Sequence, residues 1–204
     1  MAISAKAMET YKSLPTATIF EAAGAVGDID PMIRALVPAV HMAGPAFTLR
    51  TKPGDNLGVF YALNDAPPGS VLVIDGGNSL RVTIWGGTST AAALQRGLAG
   101  CVCNAAVRDL DEILVTKFPV FGPGLSVRGT VKNHKGWTQI PVCLGDVLVN
   151  PGDIVVGDSD GVVVVAAARA EEVAIAALEQ RRKELDRESR LRKGESVKSV
   201  MGLI

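Results

Sequence analysis

The chain has 204 residues, of which 48% are hydrophobic and 4% aromatic, so it is long enough to bury a substantial core. Its 21 basic residues balance 21 acidic ones, and no basic cluster lies among aromatic residues, which argues against nucleic-acid binding. No apolar run approaches the roughly 20 residues of a membrane-spanning helix, and the first residues lack a signal sequence, so we expect a cytoplasmic protein.

The first third of the chain predicts helices and short strands around turns. Residues 1–30 form an N-terminal helical segment, with one helix over residues 5–21 and a glycine-rich loop after it. Over residues 36–49, apolar residues alternate with proline and glycine, which favours short interrupted strands. The turn at residues 53–56, Pro-Gly-Asp-Asn, can cap a helix that begins at Leu57.

The middle of the chain has strand, helix, strand order. An apolar strand over residues 71–74 ends at a glycine-rich turn, an alanine-rich helix is predicted over residues 88–96 with Gly97 as its stop, and residues 98–107 predict one buried strand. This order implies a parallel crossover unit. In such units ligands gather where the strands end.

The last third of the chain predicts strands and then a long helix. A short helix reaches Leu114, and the strands that follow end in a hairpin around residues 157–161. Residues 169–204 form a charged helix and a tail, with a sparse apolar stripe that consists of Val173, Ile175, Ala176, Leu178 and Leu185. Such a stripe favours packing on a neighbouring subunit or across the surface of the same one. We treat residues 1–204 as a single α/β domain.

The three cysteines, Cys101, Cys103 and Cys143, are too few for a disulfide framework. Cys101 and Cys103 lie on one predicted strand and have no further zinc ligands nearby in the sequence. We expect all three to be small buried hydrophobic residues. His41 and His134 also lack a partner at metal-binding spacing, so we interpret both as structural or surface residues.

Arg108 and Asp109 directly follow the predicted buried strand. A guanidinium suits a carboxylate or an enolate oxygen, and a carboxylate can hold a hard divalent cation beside it. Adjacent Arg and Asp residues more often form a solvated surface pair worth roughly 0 to 1 kcal/mol. Their position at a strand end nevertheless makes them the candidate catalytic residues.

Gly86 and Gly87 do not belong to a nucleotide-binding loop, since the chain contains neither G-x-G-x-x-G after a strand nor a phosphate-binding G-x-x-x-x-G-K-[ST]. If a helix begins at Thr88, the free amides of Thr88 and Ser89 can bind a substrate carboxylate. The alternative is that the glycines only permit a tight turn. No serine or cysteine lies in a nucleophile motif, so a metal held by carboxylate and water is the remaining chemistry.

Several short motifs, in order and at consistent spacing, resemble one family. They are Gly76-Gly77, Trp85-Gly86, Arg96-Gly97, Gly100, Arg108-Asp109, Phe118-Pro119-Val120-Phe121, Pro151-Gly152-Asp153 and Asp158-x-Asp160-Gly161. The chain is similar to the RraA-like group, which contains the regulator of ribonuclease activity A and the class II 4-hydroxy-4-methyl-2-oxoglutarate (4-carboxy-4-hydroxy-2-oxoadipate) aldolases. The resemblance covers residues 10–161.

The resemblance implies a swivelling β/β/α fold with an N-terminal helix and a long C-terminal helix, assembled as a trimer or a hexamer with sites between subunits. In the aldolases the pair that Arg108 and Asp109 match binds pyruvate, with Mg²⁺ or Mn²⁺ on the aspartate. Thr130 and Lys132 are then expected to line the same substrate pocket. Oxaloacetate decarboxylation, which forms the same pyruvate enolate, is an implied second activity.

The sequence departs from the aldolase pattern at Gly87. Active aldolases carry an acidic residue there, directly after the Trp-Gly pair. A further acidic residue comes from a neighbouring subunit's C-terminal helix in that family, and Glu184 and Glu188 are the candidates here.

Two functions from different classes remain. The retained Arg108-Asp109 pair favours a metal-dependent lyase that cleaves a 4-hydroxy-2-oxo dicarboxylic acid. Gly87 favours a regulator without catalysis, which would bind a ribonuclease or another protein partner.

Overall fold

The computed structural model describes residues 3–203. Its helices are α1 Ala5–Ser13, α2 Thr16–Ala22, α3 Leu57–Asp65, α4 Gly87–Gln95, α5 Leu110–Thr116, α6 Ala170–Arg192 and α7 Val197–Met201, with a 3-10 turn at Ala167–Arg169. Its strands are β1 Arg34–Ala35, β2 Met42–Arg50, β3 Val71–Asp75, β4 Thr83–Trp85, β5 Gly100–Cys103, β6 Ala106–Val107, β7 Val120–Gly122, β8 Trp137–Thr138, β9 Val142–Leu144, β10 Val147–Val149, β11 Ile154–Asp158 and β12 Gly161–Val165.

One mixed sheet organises the molecule, in the order β1-β7-β5-β3-β2-β11-β12, with β8 also paired to β2. The central strands β2, β3, β5 and β7 run parallel. Strands β11 and β12 form the predicted hairpin, in which Asp158 lies opposite Gly161. Parallel strands need crossover connections, and the helices α3, α4 and α5 supply them.

Two buried apolar clusters lie on the sheet. The larger one contains most of β3, β5 and β7 together with side chains of α3 and α4. The second joins the N-terminal helices to α6 through Tyr11, Ile19, Val156, Val163 and Val173. The N-terminal and C-terminal helices therefore form one layer against β2, β11 and β12.

Two expected elements have different bounds. Instead of one helix over residues 5–21, α1 and α2 are separated at Pro15, whose ring nitrogen cannot donate to the preceding turn and whose neighbour Leu14 is extended. Instead of short interrupted strands, β2 is a continuous strand of 9 residues. Pro45 is tolerated in β2 because the strand changes partners there: Pro45 faces β11, and from Ala46 onward β2 pairs with β3.

The predicted strand over residues 98–107 is also two strands. Residues of β5 lie in the main sheet, and β6 pairs with β4 in a separate parallel ribbon. Asn104 makes the break, since its side-chain oxygen accepts the amide of Gly76 at 2.6 Å and its amide donates to Asp75 at 2.9 Å. The Asn104 side chain thus bonds to the glycine-rich turn after β3. The chain changes direction there, so β6 pairs with β4 and not with the main sheet.

The exposure of one cysteine corrects an expectation, while contact of the α6 apolar stripe with a neighbouring subunit stays a prediction. Cys101 and Cys103 are fully buried, but Cys143 is exposed because its neighbours Val142 and Leu144 take the inward positions of β9. On α6 the residues that pack inward are Ala170, Val173, Ala174 and Ala177, whereas Ile175, Leu178 and Leu185 of the predicted stripe are exposed. Within residues 3–203 no helix combines the length and apolar character needed to cross a membrane.

Candidate active site

The two-stranded ribbon of β4 and β6 brings the sequence motifs together. The strands are parallel, with Trp85 opposite Val107, so the residues after each strand emerge side by side. The Arg108 amide donates to the carbonyl of Trp85 at 3.1 Å, which continues the pairing by one residue. The Gly86-Gly87 turn and the Arg108-Asp109 pair are therefore neighbours, although about twenty residues separate them in sequence.

The Asp109 carboxylate lies at the centre of this junction. Its Oδ2 accepts the amide of Gly87 at 3.0 Å and lies 3.4 Å from Arg108 Nε. Asp109 has φ 57° and ψ 37°, a left-handed conformation that aspartate tolerates better than most residues and that aims its side chain back at α4. The arrangement leaves Oδ1 free of hydrogen bonds from the described residues.

Gly86 permits this close approach. A Cβ atom at this position would lie 2.7 Å from Asp109 Oδ2 and 3.1 Å from Arg108 Cγ. A side chain there would displace the Asp109 carboxylate from its present position. The lack of a side chain at Gly86 thus leaves room for the Asp109 carboxylate as well as for the turn.

The first turn of α4 faces the same junction. The helix begins at Gly87, one residue before the predicted start, and its first intrahelical bond is the one from the Thr90 amide to the Gly86 carbonyl at 3.0 Å. The amides of Thr88 and Ser89 thus precede the helix's own hydrogen-bond ladder and carry the positive end of its dipole. This geometry suits a carboxylate, as the sequence predicted.

Buried contacts fix the orientation of this turn. The indole nitrogen of Trp85 donates to Thr90 Oγ1 at 2.9 Å, and its ring stacks on Phe118 with centroids 6.2 Å apart. Trp85 is 1% exposed, so it anchors the end of β4 and the start of α4 in the core. The amides of α4 are therefore held on a rigid support.

A cavity of about 220 Å³ opens at this junction. The predicted residues Gly86, Thr88, Ser89, Arg108, Asp109, Thr130 and Lys132 all line it. Gly87, also predicted to bind substrate, does not line the cavity, and its amide donates to Asp109 instead. Two cations, Arg108 and Lys132, face one carboxylate, Asp109, so the lining favours an anionic ligand.

Asn56 and Phe60 form a wall of the cavity that the sequence did not reveal as part of a site. Lys132 Nζ lies 5.7 Å from the centre of the Phe60 ring, a cation–π contact that holds the ammonium beside the opening. The side-chain oxygen of Asn56 is buried and has no hydrogen-bond partner among residues 3–203. A buried acceptor left unpaired costs about 1 to 3 kcal/mol, so this wall suits a ligand that brings a donor.

Glu184 and Glu188 lie on α6 and do not line the cavity of their own chain. Glu184 accepts hydrogen bonds from Thr18 at 2.9 Å and Arg181 at 3.0 Å, which ties α2 to α6. Glu188 pairs with Arg192 at 3.4 Å. That either residue enters a neighbouring copy's site stays a prediction.

The metal chemistry expected from the sequence fits only an open, hydrated site. No three aspartate, glutamate, histidine or cysteine side chains form a metal-binding group in the part of the chain that the structure describes. Mg²⁺ commonly binds through one or two carboxylates and keeps several waters, with further oxygens from the substrate. The free Oδ1 of Asp109 at the cavity wall meets that requirement.

A family model matches most of the chain. Residues 16–164 match the RraA-like model, described as Aldolase/RraA. The chain belongs to the RraA-like family. The match contains both strands of the ribbon, the cavity residues and all but the last residue of the β11–β12 hairpin, so the family resemblance inferred from short motifs is confirmed.

A relative in Halalkalibacterium halodurans, named "Putative 4-hydroxy-4-methyl-2-oxoglutarate aldolase", is 33% identical over 182 residues, which cover 89% of this chain and 85% of that protein. Among solved structures, an uncharacterised protein from Pseudomonas syringae pv. tomato superposes with a TM-score of 0.87 at 26% identity and covers 100% of this chain and 96% of its own. The RNA-processing inhibitor RraA from Thermus thermophilis superposes with a TM-score of 0.68 at 29% identity, over 74% of this chain and 92% of its own. The RraA-like family thus includes relatives named for catalysis and for inhibition.

Proposed function

We propose that this RraA-like protein is a divalent-metal-dependent lyase. It would cleave a 4-hydroxy-2-oxo dicarboxylic acid by a retro-aldol reaction to give pyruvate, and it would also decarboxylate oxaloacetate. The supporting observation is the convergence of the Arg108 guanidinium, the Asp109 carboxylate and the α4 amides on one small cationic cavity. The relatives named as aldolases point to the same chemistry.

The cavity's groups match the parts of a 2-oxo acid. The amides of Thr88 and Ser89 would bind the carboxylate at C1, and the Arg108 guanidinium would bind the oxygen at C2. When the C3–C4 bond breaks, its electron pair moves onto that oxygen as an enolate, the C4 hydroxyl loses its proton and becomes a carbonyl, and C3 later takes a proton to give pyruvate. Arg108 would stabilise the charge that develops on the oxygen.

Asp109 would hold Mg²⁺ or Mn²⁺ through Oδ1, with water completing the ion's shell. Either ion would add positive charge beside the enolate oxygen. The hydrogen bond from Gly87 and the contact with Arg108 keep the carboxylate in place for this task.

Lys132 and Asn56 would bind the remaining part of the substrate. The ammonium and the amide form the wall that faces α4, so a second carboxylate and a hydroxyl on the distal carbons would meet groups of matching chemistry. A dicarboxylic substrate is therefore preferred to pyruvate-like monoacids. A neighbouring copy in a trimer or hexamer would supply the acid from α6, Glu184 or Glu188.

A second candidate function is regulation through protein binding. Gly87 lacks the carboxylate that active aldolases carry, and the Thermus relative is named as an RNA-processing inhibitor. In this case the trimer or hexamer would bind a ribonuclease or another protein, and the cavity would not catalyse a reaction.

A coupled assay separates the two functions. Pyruvate release from a panel of 4-hydroxy-2-oxo diacids and from oxaloacetate would be followed with lactate dehydrogenase and NADH, with added Mg²⁺ or Mn²⁺ and with a chelator. The lyase requires turnover that the chelator abolishes and either metal restores. Absence of turnover with every substrate, from a folded protein with metal present, would reject the lyase.

A further inference from the structure

We propose that Asp55 is a positioning residue that sets the substrate wall of the cavity by fixing residues 129–135, here named the strap, against the start of α3. The proposal rests on the proposed lyase function, because it assigns Asp55 to the placement of the substrate-binding residues Lys132 and Thr130. Asp55 does not line the cavity itself.

Asp55 makes hydrogen bonds to both structures that it joins. Its Oδ1 accepts the amide of Leu57 at the start of α3 at 3.0 Å. Its Oδ2 accepts the amides of Asn133 at 3.0 Å and His134 at 2.9 Å in the strap. The residue is 4% exposed, so these bonds lie in the interior, where an unpaired partner is costly.

Backbone hydrogen bonds on either side of Asp55 also hold the strap against the start of α3. The Val131 amide donates to the Gly54 carbonyl at 3.0 Å, and the Asn56 amide donates to the Val131 carbonyl at 3.1 Å. Lys132 therefore stands between Val131, which the backbone holds, and Asn133, which the Asp55 carboxylate holds. With both neighbours fixed, the side chain of Lys132 leaves the strap toward the cavity and Phe60.

One carboxylate thus sets the spacing of the two segments that make up this wall. Asn56 and Phe60 come from the α3 side, while Thr130 and Lys132 come from the strap. Because binding and catalysis are sensitive to displacements of about 1 Å, a small shift of the strap would weaken ligand binding. The groups that bind the reacting end, Arg108 and the α4 amides, belong to other elements and would stay in place.

The contact between the strap and the start of α3 requires a carboxylate at position 55. Three N–H donors converge on it, and an ionised aspartate offers only acceptors. Burial alone would raise the pKa of Asp55, but the three backbone amides and the nearby His134 outweigh it and hold this pKa below its ordinary value. Asparagine has the same shape, yet it must turn an NH₂ group toward at least one of the donors.

Asp153 offers a matched control for loss of stability. It is also buried, at 5% exposure, and its carboxylate accepts the amides of Asn150 at 2.8 Å and Ala167 at 2.9 Å. These contacts join β10, β11 and the turn before α6, away from the cavity lining. Asp153→Asn should destabilise the fold by a similar mechanism without moving the strap.

The test compares Asp55→Asn, Asp153→Asn and Lys132→Ala in the full-length protein, with oxaloacetate as substrate and Mg²⁺ present. We expect Asp55→Asn to raise KM about tenfold or more with a smaller change in kcat, and Asp153→Asn to leave KM unchanged. In the Lys132→Ala background, Asp55→Asn should add little, because both changes remove the same interaction. Unchanged KM in Asp55→Asn, or full additivity with Lys132→Ala, overturns the proposal.

Hydrogen exchange of the wild-type protein supplies a second measurement, which does not depend on whether Asp55→Asn folds. Saturating 2-oxoglutarate with Mg²⁺ should slow exchange of the Asn133 and His134 amides, while the Asn150 amide is unaffected, because this 2-oxo dicarboxylate reaches Lys132 and lacks the C4 hydroxyl that cleavage needs. Binding of 2-oxoglutarate without that protection overturns the proposal. No binding and no turnover in the wild type would instead reject the lyase function, a result distinct from failure of the strap alone.

Discussion

The carboxylate of Glu112 lies against Gly87, at the point where a side chain at position 87 would begin. A Cβ atom built on Gly87 meets Glu112 Oε2 and lies 3.5 Å from Asp109 Cβ. Glu112 is exposed on α5 and can move, so the contact does not forbid a side chain. A side chain introduced at position 87 must therefore displace the Glu112 carboxylate while it approaches Asp109.

Gly87→Asp should therefore raise Mg²⁺-dependent oxaloacetate decarboxylation, and the gain should be larger when Glu112→Ala is combined with it. The added carboxylate supplies the acid that active aldolases carry, and removal of Glu112 relieves both the steric conflict and the like-charge repulsion. Decarboxylation rates over a Mg²⁺ titration measure the effect, with Glu112→Ala alone as the control. No gain in a variant shown to bind the metal would mean that Gly87 is not the limiting defect.

Arg108→Ala should lower pyruvate release by about a hundredfold or more, because one preorganised donor to a developing oxyanion typically contributes this much. Arg108→Lys should recover only part of the rate, since an ammonium cannot reproduce the planar fork. The coupled lactate dehydrogenase assay measures both, with size-exclusion chromatography to show an intact oligomer. Arg34→Ala, on the remote strand β1, is the control, and wild-type turnover by Arg108→Ala would exclude the assigned role.

Lys132→Met should raise KM for a dicarboxylic substrate about tenfold to a hundredfold with a smaller effect on kcat, since a charge-assisted hydrogen bond typically contributes about 1.5 to 3 kcal/mol. Lys135→Met is the matched control. Its ammonium lies 4.3 Å from the Tyr61 ring centre and does not line the cavity. Equal KM values for the two variants would contradict binding of the substrate by Lys132.

Asp158→Asn should lower the free energy of unfolding at pH 7 by about 1 to 2 kcal/mol, since Asp158 caps α2 from the β11–β12 hairpin. Its carboxylate accepts the Thr16 amide at 2.8 Å and the Thr16 hydroxyl at 2.6 Å. Burial alone would raise the pKa of Asp158. The hydrogen bonds from Thr16, the Asp160 amide and the nearby His41 outweigh burial, so this pKa lies below its ordinary value.

The pH dependence of this contribution has a definite sign. A carboxyl group whose folded pKa is depressed contributes its full stabilisation above the unfolded pKa of about 4 and loses it as the pH falls through the folded value. Urea unfolding of wild type and Asp158→Asn between pH 7 and pH 3 should therefore show a difference that shrinks below about pH 4. Asp160→Asn, on the same hairpin, is the control, and a difference independent of pH would contradict the assignment.

Arg108, Asp109 and the start of α4 could be predicted from the sequence because they belong to local signals, whereas Thr130 and Lys132 came only from the family resemblance. An apolar run followed by Arg108-Asp109 marks the end of a strand, and Gly86 before a helix start marks a turn with free amides. Such signals depend only on residues that are close in the sequence, so they can be recognised without knowledge of the fold. The helix at Leu57 and the hairpin at residues 157–161 were predicted for the same reason.

Only the tertiary structure decided which of these local signals meet. The residues of the predicted strand 98–107 divide between two sheets because the Asn104 side chain bonds to Gly76 and Asp75, and that division places Arg108 beside Gly86. Asn56, Phe60 and Lys132 share a wall because one buried carboxylate, Asp55, joins two segments nearly eighty residues apart. Contacts of this kind depend on long-range packing, to which the periodicity and the turn signals of the sequence are insensitive.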